Sequence, residues 1–244
     1  MVTQHGPVLV VSAHAGDFVW RAGGAIALAA SSRLIALISS SFLPSRHARA
    51  DSPRSPKLRH TTVTCAPRDA ASAADVLGAT IEFLDAGDYP LRESTELIDE
   101  IVHCYRRTEP AVVLTHTLAD PYNPDHPAAG RMALQARVLA QAIGYDAPGE
   151  PLGAPPVFLF EPHQPEQCDF KPQVLLDITE VFAVKRRAME CLVAQQHMWD
   201  YYTDLATRRG VQLRRNAGPN LGLPQTCKAE AYMRVYPQVT GALQ

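Results

Sequence analysis

Val8-Leu9-Val10-Val11-Ser12-Ala13-His14-Ala15-Gly16-Asp17-Phe18-Val19-Trp20-Arg21-Ala22-Gly23-Gly24 lies near the start of a 244-residue chain. Its first four residues form an apolar, mostly β-branched run, too short for a helix and suited to a buried parallel strand. The run stops at Ser12-Ala13, and His14 and Asp17 follow on a turn. Gly23-Gly24 allows a close approach, and Ala25 to Ala30 reads as the helix behind the strand. Polar groups at the carboxyl end of a buried strand lie where open α/β sheets bind ligands. A neutral imidazole and a carboxylate three residues apart on a turn can grip one divalent ion. A helix cap and a surface residue would look the same, so the rest of a site has to come from further along.

Outward from that stretch the chain alternates. Leu34 to Ser39 reads as a second strand, Ala70 to Leu77 as a short helix stopped by Gly78, and Thr80 to Leu84 as a strand. Leu97 to Arg107 carries apolar residues at helical spacing, and Ala111 to Thr115 is another buried strand. A helix is expected from about Ala128 to Ile143 and a strand at Val157 to Phe160. Val174 to Ile178 reads as a late strand, followed by a helix capped by Thr179 and running to about Gln196. Near Ala229 to Val235 a short helical pattern is expected. The alternation argues one α/β domain over residues 1–244, with a mostly parallel, doubly wound sheet and helices on both faces. Residues 40–69 are the exception, an atypical loop rich in Ser, Pro, Arg and His.

Composition narrows the function. Charged residues make up 20% and hydrophobic ones 46%, as in a globular chain. The formal net charge of -2 gives no reason to expect nucleic acid or an anionic membrane surface. No apolar run approaches the ~20 residues of a membrane span. Five cysteines, odd in number and without a CxxC pair, suggest neither a disulfide framework nor a cysteine zinc site. A reducing cytoplasm fits best.

In a parallel sheet, three loops would share one edge. These are the His14/Asp17 turn, the stretch His116-Thr117-Leu118-Ala119-Asp120-Pro121-Tyr122-Asn123-Pro124-Asp125-His126-Pro127, and Glu161 to Gln167 with His163. Two imidazoles and one carboxylate, with room for water, make an open zinc site. Asp125, next to His126, could orient an imidazole. Each residue also has a plainer reading: His126 as a loop cap, His116 as a backbone partner at the strand end, His163 as a turn stiffener between two prolines. Trp199, Tyr201 and Tyr202 read as core or interface.

Ser12-Ala13-His14-Ala15-Gly16-Asp17 resembles the Ala-His-Pro-Asp-Asp-Glu motif of the PIG-L (LmbE-like) zinc deacetylase superfamily, and Pro124-Asp125-His126 resembles its His-Pro-Asp-His motif. The resemblance implies a Rossmann-like fold, with zinc held by His14, Asp17 and His126. Two departures matter. The motif's first Asp, the general base of the deacetylases, is Gly16 here, and the first histidine of the second motif is Asn123. One branch, the 4-oxalomesaconate hydratases of gallate degradation, shares these substitutions. Its likeness extends through Asp120-Pro121-Tyr122-Asn123, Glu161 to Cys168, Leu176-Asp177-Ile178-Thr179 and Arg209-Gly210-Val211-Gln212.

That branch implies a lyase adding water to a tricarboxylate keto acid, giving 4-carboxy-4-hydroxy-2-oxoadipate. Its members usually carry a Gly-Glu-Arg-Gly-Glu-Ser run after the second strand, with a glutamate thought to take part in catalysis. Here no glutamate stands between Ser39 and Asp69. Three readings stay open: another residue serves, activity is weakened, or the segment reflects a shifted reading frame or divergent allele. His163 and Asp125 are assigned to catalysis, and Arg21, His116 and Asn123 to the substrate. His163 is expected to titrate near the unperturbed imidazole value of about 6.5. The expected partner is a small-molecule tricarboxylate keto acid, with neither nucleic acid nor membrane, and the chain could form a homo-oligomer. The alternatives are an N-acetyl-sugar deacetylase and a catalytically weakened protein that binds carboxylates in the metal cleft.

Overall fold

The protein was described from a computed structural model that covers residues 6–29, 32–38, 67–84, 86, 90–217, 222–239 and 241. Most of the expected atypical loop, residues 40–66, lies outside the described residues. The elements are β1 (Val8–His14), α1 (Asp17–Leu28), β2 (Ser32–Ile38), α2 (Pro67–Val76), β3 (Ala79–Phe83), α3 (Thr95–Thr108) and β4 (Val112–Thr115). Then come α4 (Asp125–Gln141), β5 (Val157–Phe160), β6 (Val174–Asp177), α5 (Phe182–Glu190), α6 (Met198–Asn216) and β7 (Ala229–Arg234).

The strands form one sheet in the order β3-β2-β1-β4-β5-β7-β6. Pairings among β1 to β5 are parallel, and β7 runs antiparallel to both β5 and β6. The strand order reverses between β1 and β4, so their carboxyl ends flank the crevice where sheets of this kind take ligands. The mostly parallel α/β reading therefore holds.

Side chains of β1 alternate between two cores. Val8 and Val10 pack with α1, α2, α5 and α6 residues on one face, and Leu9, Val11 and Ala13 with α3 and α4 on the other. Small residues set the layer spacing. A Cβ on Gly24 would lie 2.5 Å from Ile178 Cγ2, so α1 can approach the end of β6 only with glycine there. Likewise, a Cβ on Gly130 would lie 2.8 Å from the His116 carbonyl oxygen, which lets α4 ride close over the end of β4.

Two expectations in the second half need correcting. The single helix expected from Thr179 to Gln196 is a short 3-10 turn, then α5 ending at Glu190. The Trp199 indole N–H donates to the Met189 carbonyl at 2.8 Å, which satisfies the end of α5 and lets α6 fold back on it. The helical pattern expected near Ala229 is strand β7. Glu230 misleads there, because it reads as a solvated helix residue yet is only 5% exposed.

Candidate metal centre

His14 ends β1, Asp17 opens α1, and His126 lies in the first turn of α4. One ligand atom from each lies within 4.8 Å of the others. Asp17 Oδ2 is at the centre, 3.2 Å from His14 Nδ1 and 3.7 Å from His126 Nε2. The same oxygen accepts the His14 backbone N–H at 2.9 Å, which fixes the turn between strand and helix. The three residues expected to share an ion are thus brought together.

Each imidazole has a second carboxylate behind it. His126 Nδ1 lies 2.7 Å from Asp120 Oδ2, and His14 Nε2 faces Asp125 Oδ2 at 3.4 Å. Asp125 is held in turn by the Leu91 N–H, which donates to Oδ1 at 2.9 Å. A carboxylate on the far nitrogen fixes the ring and leaves the near nitrogen free to donate its lone pair. Asp125 is therefore placed to orient His14, the arrangement expected of a carboxylate beside the ligand loop.

Asp120 was missed in the sequence. Its Oδ1 accepts the backbone N–H groups of Tyr122 and Asn123, at 2.9 and 3.1 Å. An aspartate opening an Asp-Pro-Tyr-Asn turn was the available signal. Burial opposes its ionisation, but His126 and those N–H donors outweigh it and hold the carboxyl down at about 2.

Without a cation the cluster is electrostatically split. Burial disfavours charge on His14, yet Asp125 and Asp17 overcome it and raise the imidazole to about 9. His116 goes the other way. It is fully buried, and burial together with neighbouring His126 pushes it down to about 3. Burial likewise opposes the charge on Asp17, but His126, His116 and His14 hold its carboxyl well below the usual range.

The remaining expected site residues divide. His116 Nε2 accepts the Ala13 N–H at 2.9 Å, and its ring stacks on His126 with centroids 4.3 Å apart. The ring is fully buried and neutral, and its contacts include the backbone of β1 and the face of His126, which it supports from behind. The Asn123 side-chain oxygen accepts the Asp125 N–H at 3.0 Å and braces the entry to α4. Arg21 is close to the centre, with Nε 3.7 Å from Asp17 Oδ1 and its guanidinium 5.8 Å from the Phe160 ring centroid. Behind it is a cavity of about 20 Å³, room for one water, lined in part by Glu161, Lys185, Arg209 and Glu230. Arg209 pairs bidentately with Glu161, so two separate stretches of the family resemblance meet there.

His163 follows β5. Its Nδ1 is 3.0 Å from the Tyr202 hydroxyl, and its carbonyl accepts the Tyr201 O–H at 2.6 Å. Although one edge of the residue is exposed, packing of the ring against the protein, then the Arg21 guanidinium, lower its pKa to about 4. The expected titration near 6.5 is thereby corrected, and the ring is neutral at ordinary pH.

Residues 9–137 match the PIG-L family, described as GlcNAc-PI de-N-acetylase. The chain belongs to the PIG-L family. Among family relatives it is 46% identical to the 4-oxalmesaconate hydratase of Pseudomonas putida KT2440, over 98% of this chain and 93% of that one. A crystal structure of GalB, the 4-carboxy-2-hydroxymuconate hydratase of the same organism, superimposes with a TM-score of 0.85 at 42% identity, covering 98% of this chain and all of that one. Diacetylchitobiose deacetylase of Thermococcus kodakarensis is 30% identical over 53% of this chain and 50% of its own. Between the ligands, Gly16 occupies the N-cap of α1 and offers no side chain to act on a water.

Proposed function

We propose that the chain is a zinc-dependent hydro-lyase that adds water to 4-oxalomesaconate, giving 4-carboxy-4-hydroxy-2-oxoadipate. The end-to-end likeness to the Pseudomonas putida hydratase carries this reading. Gly16 supports it against the deacetylase alternative, because loss of a general base costs about 10²–10⁴ in rate. Two imidazoles and one carboxylate suit zinc with positions left open. When bound, the ion supplies an acidified water or a polarised carbonyl.

His14, Asp17 and His126 are the assigned ligands, with Asp125 and Asp120 holding the two rings. Hydration puts a hydroxyl on the carboxylate-bearing tertiary carbon and a proton on its neighbour. The displaced electron pair builds charge on that neighbour and on the oxygens conjugated with it, so neighbouring hydrogen-bond donors favour the reaction. Arg21 is a buried cation beside Asp17, suited to a substrate carboxylate. His163 is the side chain assigned to proton handling or donation at the substrate. No helix among the described residues is long and apolar enough to cross a membrane. A cytoplasmic location and a small-molecule partner belong to the same proposal.

The test is incubation of the zinc-loaded chain with 4-oxalomesaconate, following the loss of ultraviolet absorbance. Loss of absorbance that is abolished in His163→Ala with zinc retained supports the proposal. Acetate release from an N-acetyl sugar, with the keto acid untouched, would replace it by the deacetylase. Binding without turnover would replace it by the binding protein.

A further inference from the structure

Tyr202 is in the first turns of α6 and is 2% exposed. Its ring stacks on Trp20 of α1, with centroids 5.3 Å apart and planes 20° from parallel. Its hydroxyl is 3.0 Å from His163 Nδ1, and the hydroxyl of neighbouring Tyr201 donates to the His163 carbonyl. Adjacent residues of one helix therefore grip the backbone and the ring of His163 together.

One proton lies between Tyr202 and His163 Nδ1, and the surroundings decide who owns it. Were Nδ1 the donor, the phenol would accept and its own hydrogen would point into the protein. Among the described residues, His163 Nδ1 is the acceptor within reach of that hydroxyl. A buried donor left without an acceptor is costly, so the arrangement that gives the hydroxyl hydrogen an acceptor is favoured. His163 itself is exposed, so water can satisfy its other nitrogen in either protonation state. The tautomer follows from this accounting.

We infer that Tyr202 is a positioning residue whose hydroxyl donates to His163 Nδ1, leaving the ring hydrogen on Nε2. His163 then meets the substrate as a neutral hydrogen-bond donor and not as a base. Such a donor stabilises an oxygen that gains charge as the double bond opens. This catalytic meaning rests on the hydratase reading; the tautomer does not.

The test uses the zinc-loaded chain labelled with ¹⁵N-histidine. Long-range ¹H–¹⁵N correlations, with His163 assigned by its loss in His163→Gln, read the tautomer directly. The expected spectrum has a protonated Nε2 and a bare, hydrogen-bonded Nδ1. In Tyr202→Phe, which keeps the stack on Trp20, the two nitrogens move toward averaged shifts. There kcat for hydration falls by about 10²-fold, the low end of what misplaced proton chemistry costs, while KM and zinc content stay within about twofold. A protonated Nδ1 in the unsubstituted chain overturns the inference, and that spectrum decides even if Tyr202→Phe does not fold. An unchanged spectrum and unchanged kcat in a folded Tyr202→Phe chain overturn it too. If the chain does not hydrate 4-oxalomesaconate at all, the functional proposal fails while the tautomer is still read.

Discussion

His126 has Nδ1 on Asp120, 2.7 Å away, and Nε2 facing Asp17 at 3.7 Å. His14 repeats the arrangement with the nitrogens exchanged, Nδ1 toward Asp17 and Nε2 toward Asp125. Two rings that enter from different elements are thus polarised toward the same point by two carboxylates from one loop and helix start.

Asp120→Ala removes the partner of His126 and frees the ring to rotate. Zinc affinity should fall about 10–100-fold, the usual cost of losing a group that orients a ligand. Competition with a zinc chelator measures it. A dissociation constant within twofold of the parent chain would mean that the stack on His116 alone holds the ring.

Metal removal should be reversible and visible in stability as well as activity. A ligand that binds only the folded chain stabilises it by about 2.7 kcal/mol at a hundredfold excess over its dissociation constant. The chelated chain should therefore melt at a lower temperature, and added zinc should restore both midpoint and turnover. The same melting curve with and without zinc would show that His14, Asp17 and His126 do not share an ion.

The three candidate ligands were legible from the motif resemblance, and the hydrophobic pattern set them at junctions: the end of β1, the start of α1 and the first turn of α4. Which way a junction side chain turns was not legible. His116 and His126 look alike in sequence, yet the first points into the core because Ala13 offers its N–H there. Asp120 was overlooked for the same reason, since sequence adjacency drew the reading to Asp125, which faces His14, while the loop folds Asp120 back six residues onto His126. Tyr202 was read as core, which its burial bears out, but a contact across 39 positions with His163 leaves no local pattern. Strand β7 was misread because a buried ion pair makes a core position look polar.

The pH dependence of the metal-free chain follows from two opposed histidines. His14 binds its proton more tightly folded than unfolded, about 9 against 6.5. Its contribution, at most about 3 kcal/mol, is complete below pH 6.5 and is lost as the pH rises to 9. His116 is depressed to about 3, so its contribution is present above pH 6.5 and is lost as the pH falls toward 3. Urea midpoints without metal should therefore peak near pH 6.5. With zinc the alkaline loss should disappear, because His14 must shed its proton to coordinate. A metal-free midpoint that stays level from pH 6.5 to 9 would contradict the assigned charge on His14.

Helix α1, which carries Asp17 and Arg21, is secured by β7 and by α5 on its own face of the sheet. Glu230 of β7 accepts the Gly24 and Ala25 backbone N–H groups at 2.7 and 2.9 Å, together with the Tyr232 hydroxyl at 2.6 Å. Lys185 of α5 donates to Glu230 at 2.6 Å and to the Trp20 carbonyl at 2.9 Å. Lys185→Met strands a buried carboxylate and should cost about 3–5 kcal/mol, read from urea unfolding. Adding Glu230→Gln removes the stranded charge while keeping acceptors for the helix, so the double variant should recover part of the loss and the two effects should not add. Additive losses would mean that the lysine and glutamate act independently, and that α1 is held by packing around Gly24 and Ile178 instead.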